Sequence, residues 1–202
     1  MHITTYDHAP RLPEGETLDL DTFLPGHGGV FLEIGPGRGG FALGYAALHP
    51  EARFVALEIR RKLAAILDER LQKKGFPRAR CFAEDAGLAL PRLRPDGCAV
   101  GAAVHFPDPW WKKRHAKRLV VQDSFVAELA RLLAPGALLL VQTDVEDRAV
   151  AYFERLAACP LLENTGTGMF VEESPFAPAR SNREVRAMAD GLPIHRMVFR
   201  RR

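Results

Sequence analysis

Short apolar runs alternate with longer stretches in which apolar residues recur every three or four positions. The runs at 29–35 (GVFLEIG), 53–59 (RFVALEI), 79–86 (ARCFAEDA), 98–106 (CAVGAAVHF) and 137–143 (ALLLVQT) have strand length. The fourth carries no full charge, which suits a central strand. Between them lie helix-period segments. One spans 39–50 and is stopped by Pro50. A second shows Leu63, Ile66, Leu67 and Leu71 on one face. A third is built on Val121, Phe125, Val126, Leu129, Leu132 and Leu133, and a fourth on Val150, Phe153 and Leu156. A last strand is expected at 194–200 (IHRMVFR). This alternation predicts an α/β fold with a parallel sheet covered by helices on both faces.

Residues 1–27 read as a polar lead-in rich in Pro and Gly, and 28–202 as one domain. The stretch 172–183 (EESPFAPARSNR) reads as a long mobile loop, and loops of that length inside a compact domain are usually functional or disordered. A chain of 202 residues with 47% hydrophobic and 26% charged residues has the balance of a soluble domain with a real core. The net charge of +3 means that nucleic-acid binding must come from local clustering. Cys81, Cys98 and Cys159 form no Cys-x-x-Cys pair, which argues against a disulfide framework or a zinc ribbon and fits a reducing compartment. With no signal-peptide pattern and no long uncharged run, the expectation is a cytoplasmic protein without a membrane partner.

The stretch 32–41 (LEIGPGRGGF) sits where the first strand passes into the first helix. Gly35, Gly37 and Gly40 match G-x-G-x-x-G, Gly39 lies within the loop, and Glu58 ends the second strand. Glu33 selects among ligands. A pyrophosphate beside this carboxylate is repelled by about 4 kcal/mol at 4 Å and an effective dielectric near 20. S-adenosylmethionine instead brings a sulfonium and an ammonium, plus a carboxylate suited to a helix N-terminus. Glu58 can accept from the ribose hydroxyls. After the third strand, Glu84 or Asp85 can accept from the adenine amino group, and the sequence leaves open which of the two points inward.

The segment 105–118 (HFPDPWWKKRHAKR) follows the fourth strand, whose end faces the ligand crevice in such sheets. Pro107 and Pro109 restrict the backbone around Asp108. Lys112, Lys113, Arg114, Lys117 and Arg118 supply charge for phosphates. Trp110 and Trp111 have a packing role available to them, and His105 and His115 suit structural or phosphate-contacting roles better than catalytic ones.

Together, EIGPGRGGF, HFPDPWWKKRH-KR, QTD and the C-terminal SNRE resemble the bacterial tRNA (guanine-N7-)-methyltransferase family, in the same order from about residue 30 to the end. The resemblance implies a Rossmann-like class I methyltransferase fold with about seven strands, the last antiparallel. It implies S-adenosylmethionine as methyl donor and a tRNA variable-loop guanosine as target, with the chain a monomer or homodimer. The family's cofactor residues fall on Glu33, the loop glycines, Glu58, Asp85 and Asp108. Its substrate residues fall on Lys112 and the neighbouring Lys113, Arg114 and His115, on Asp144, and on Ser181, Asn182, Arg183 and Glu184. Asp108 and Asp144 are the catalytic acids this reading names. Two positions depart from the family pattern. Trp111 stands where a second proline is usual, and Arg183 stands where an aromatic residue is usual. The competing readings are a methyltransferase for another RNA or a small molecule, an RNA-binding homologue without catalysis, and a nicotinamide oxidoreductase. Glu33 opposes the last of these.

Overall fold

The computed structural model describes residues 6–24, 26–107 and 120–202. In chain order the elements are β1 (Leu18–Asp19), α1 (Leu20–Phe23), β2 (Val30–Ile34), α2 (Gly40–Leu48), β3 (Arg53–Leu57), α3 (Arg61–Lys73), β4 (Ala79–Phe82) and α4 (Ala86–Ala89). There follow a 3-10 turn (Leu90–Arg92), β5 (Leu93–Arg94), β6 (Ala99–His105), α5 (Asp123–Leu132), β7 (Leu133–Thr143), α6 (Glu146–Ala158), β8 (Leu162–Asn164), α7 (Asn182–Ala189) and β9 (His195–Arg201).

Seven strands form one sheet in the order β4-β3-β2-β6-β7-β9-β8. From β4 to β7 every pairing is parallel, and β9 runs antiparallel between β7 and β8. The order reverses between β2 and β6, so a crevice opens there at the carboxyl ends of the strands.

Strand alternation sorts the core into two layers. From β2, Val30, Leu32 and Ile34 face one layer with Leu57, Val104, Leu139 and the inner faces of α5 and α6. Phe31 faces the other layer, with Phe41 and Ala42 of α2 and Ala64, Leu67 and Leu71 of α3. Part of the lead-in joins the first layer, because Leu12, Leu18, Leu20 and Leu24 are buried there. A short parallel pairing of β1 with β5 holds that segment in register.

The five expected parallel strands are present with shifted ends. The third stops at Phe82, because Asp85 caps α4 by accepting from the Gly87 N–H at 2.8 Å. The fifth begins earlier, at Leu133, and takes Pro135 and Gly136 into an irregular stretch where its register with β6 slips. Helix α7 begins two residues inside the expected loop, at Asn182, and fills the stretch before the last strand to which the sequence pattern assigned no element. Its signal was present as Ser181-x-x-Glu184, and the Ser181 side chain accepts from the Glu184 N–H at 3.1 Å. The segment before it is anchored. The Phe176 ring stands edge-on to Phe31 at 4.8 Å, and Ala179 is buried.

Candidate active site

A cleft of about 940 Å³ lies at the switch point, lined among others by Ile34, Gly35, Glu58, Asp85, His105 and Phe106. Gly35, the first residue of the glycine loop, lines it. Gly39 adopts a left-handed φ of 76°, and a Cβ there would meet Leu67 Cδ1 at 2.1 Å, so the turn into α2 requires glycine twice over. A Cβ on Gly40 would meet the Arg180 carbonyl oxygen at 3.0 Å. That close approach lets the Gly40 N–H donate to Asn182 Oδ1 at 2.9 Å, which ties the N-terminus of α2 to α7.

Glu58 follows β3 and is 2% exposed. It accepts from the Gly37 N–H at 3.0 Å and from both the backbone and Nε of Arg60 at 3.0 Å. The acid and the glycine loop thus position each other at the cleft wall. Of the two neighbouring acids, Glu84 receives Arg11 Nε at 2.8 Å and the Leu12 N–H at 3.1 Å, so its carboxylate fastens the lead-in beside the cleft. Asp85 is exposed at the cleft edge, holding only the Gly87 N–H among its described contacts.

Glu33 lies deeper than a loop-mouth position. It is fully buried on the α2 side of the sheet, and neither carboxylate oxygen has a hydrogen-bond partner among the described residues. Burial, reinforced by the Glu58 carboxylate, pushes its carboxyl well above the usual glutamate range. His105 Nε2 stands 3.5 Å from Glu33 Oε1. Gln142 Nε2 donates to His105 Nδ1 at 2.8 Å, which places the ring proton on Nε2, toward Glu33. Burial holds the imidazole neutral by pushing its pKa down to about 4. Gln142 also donates to Glu184 Oε2 at 3.1 Å, and Arg196 Nη2 donates to Glu184 Oε1 at 2.9 Å.

A buried polar chain therefore runs from Glu33 through His105 and Gln142 to Glu184 and Arg196. Sequence reasoning missed Gln142 and Arg196. Their signal was positional, since cross-strand pairing puts His105 opposite Gln142 and Gln142 opposite Arg196.

Asp144 follows β7 at the same edge of the sheet, and its Oδ2 pairs with Arg183 Nη2. Ser181 and Glu184 are buried, and their hydrogen bonds go to the helix cap and the polar chain. The turn after β6 is strained, because Phe106 takes a positive φ of 45° without being glycine. It leads through Pro107 at the cleft wall to Asp108. Asp108, Trp110, Trp111, Lys112, Lys113, Arg114, His115, Lys117 and Arg118 lie outside the described residues. The described site thus brings the loop glycines, Glu58, Asp85, Asp144, Asn182 and Arg183 along one sheet edge, with Glu33 buried beneath the loop.

Strand order, glycine loop, an acid ending β3 and a cleft at the switch point define a Rossmann-like class I methyltransferase. Solved structures agree on the fold. The chain is similar to the 16S rRNA methyltransferase KamB, with a TM-score of 0.60 at 18% identity over 87% of this chain and 89% of that one. It is also similar to TrmN from Thermus thermophilus, with a TM-score of 0.60 at 18% identity over 91% of this chain and 46% of that one. The model of a family described as "Putative methyltransferase" matches residues 27–197. A tRNA (guanine-N(7)-)-methyltransferase of Myxococcus xanthus is 42% identical over 183 residues, covering 88% of this chain and 86% of the relative. One of Anaeromyxobacter dehalogenans is 43% identical over 170 residues, covering 84% of each. The chain belongs to the tRNA (guanine-N7-)-methyltransferase family.

Proposed function

We propose that this chain transfers the methyl group of S-adenosylmethionine to guanine N7 in tRNA, acting in the cytoplasm as a monomer or homodimer. The observation that carries the reading is the placement of Glu58 and Asp144. They follow β3 and β7 at the carboxyl edge of one sheet, on either side of the glycine loop. The residues suit the methyl donor. Glu58 is a buried acceptor for ribose hydroxyls, and Asp85 is an exposed acceptor for the adenine amino group. S-adenosylmethionine, when bound, supplies an electrophilic methyl group.

The protein's part is positioning and electrostatics. Guanine N7 already carries an in-plane lone pair, so no residue has to remove a proton before attack. The carboxylate of Asp144 accepts from guanine N1–H and the N2 amino group and stabilises the positive charge that grows on the base. Asp108, between two prolines, orients the reacting groups, and the residues at 112–115 hold phosphates. The target base leaves its stack to reach the cleft.

The test is methyl transfer from labelled S-adenosylmethionine to tRNA lacking the modification, followed by nucleoside mass analysis. N7-methylguanosine is the expected product, and any other methylated nucleoside refutes the reading. With cofactor and RNA saturating, the rate is expected to be nearly flat from neutral to mildly alkaline pH. A steep rise tracking one ionisation would point to a required general base instead.

A further inference from the structure

Within 181–184, three side chains are committed to the fold. Ser181 caps α7, Asn182 takes the Gly40 N–H, and Glu184 sits in the buried polar chain. Arg183 is different. Its side chain is 47% exposed and turns to the edge of the sheet, where its guanidinium meets Asp144, whose side chain is 14% exposed. The chemistry of that contact is informative. Guanine's N1–H and N2 amino group are adjacent N–H donors on one carbon, and the base contains a guanidine unit along that edge. An arginine guanidinium presents the same paired donors in the same plane. A carboxylate placed to accept one is placed to accept the other.

We propose that Arg183 is an internal stand-in for the guanine edge, occupying in the free enzyme the acceptor on Asp144 that the target base takes in the complex. This rests on the reading of Asp144 as the guanine acceptor. Arg183 is then an intramolecular competitor. It keeps Asp144 neutralised until a base with both donors arrives, and it lowers apparent affinity by the fraction of time the acceptor is masked. A half-exposed ion pair is weak, so the masking is modest, about two- to fivefold.

The test uses free guanosine as a competitive inhibitor of tRNA methylation, because a neutral nucleoside does not register the loss of a cation near the phosphates. In Arg183→Ala the inhibition constant for guanosine should fall about two- to fivefold, with Arg183→Gln between that variant and wild type. Adenosine lacks the paired donors and should inhibit both enzymes equally. In an Asp144→Asn background, Arg183→Ala should no longer change guanosine inhibition. An unchanged or raised guanosine constant in Arg183→Ala overturns the proposal. So does an equal gain for adenosine, or a gain that persists in the Asp144→Asn background. If Asp144→Asn alone leaves turnover and guanosine inhibition at wild-type values, the assignment of Asp144 itself fails, and the masking proposal falls with it.

Discussion

At the scale of single residues, Glu33 and His105 are two buried groups whose titrations oppose each other. The Glu33 carboxyl is pushed well above 4.5, so the folded protein holds a proton that the unfolded chain releases. Its contribution to stability is present below pH 4.5 and is lost as pH rises toward its folded value. His105 is pushed down to about 4 from 6.5, so the unfolded chain binds the extra proton, and its contribution grows as pH rises from 4 to 6.5. Between pH 4.5 and 6.5 the two slopes partly cancel. Relative to wild type, His105→Gln should therefore lose stability with rising pH across that window, and Glu33→Gln should gain it. Each slope is bounded by about 1.4 kcal/mol per pH unit. Urea denaturation of the three proteins at several pH values measures it, and equal slopes would contradict it. Glu58 gives a simpler test. Its carboxylate is buried and already holds Gly37 and Arg60, so Glu58→Ala should weaken S-adenosylmethionine binding by about 1–3 kcal/mol in calorimetry.

At the scale of elements, α7 is the piece that joins the glycine loop to the far side of the sheet. Asn182 ties it to α2, while Glu184 ties it to β7 through Gln142 and to β9 through Arg196. Arg196 is itself buried, with a further hydrogen bond from Nη1 to the Glu172 carbonyl at 2.7 Å. Removing the Glu184 carboxylate leaves a buried guanidinium without its counter-charge. Glu184→Ala should cost about 3–5 kcal/mol of unfolding free energy, read from denaturant midpoints. A residue whose only task was to touch the RNA would leave that midpoint unmoved. The aromatic group of Phe31, Phe41, Tyr45, Phe54 and Phe176 braces the same region from below, which is why the segment before α7 is held to the sheet.

At the scale of the whole molecule, net charge is too small to gather RNA by a general field, so the proposed RNA contacts rest on the run of cations at 112–118 in the sequence. Lys113 and Arg114 belong to that run. Changing both to alanine should lower affinity for all tRNAs alike and flatten the dependence of log affinity on log salt by about two phosphate contacts. Filter binding across a salt series measures this, and a wild-type slope in the double variant would remove the run from the interface. No helix among the described residues is long and apolar enough to cross a membrane.

The parallel sheet was legible because its strands are continuous apolar runs and its helices repeat every three to four residues, both local properties of the chain. The glycine loop and the acid that ends β3, Glu58, were legible for the same reason, since each belongs to a local pattern. What tertiary structure decided was which distant groups meet. Glu84 and Asp85 both line the cleft, and which carboxylate is left less committed depends on Arg11, 73 residues away, claiming Glu84. The depth of Glu33 depends on which face of β2 it occupies and on α2 closing over it. Gln142 and Arg196 joined the polar chain only through cross-strand register, and Arg183 reached Asp144 only because α7 folds back to the edge of the sheet. Hydrophobic period is written along the sequence. The pairing of buried charges is written across it, because a buried ion or hydrogen-bonding group takes whichever partner the fold brings within about 3 Å.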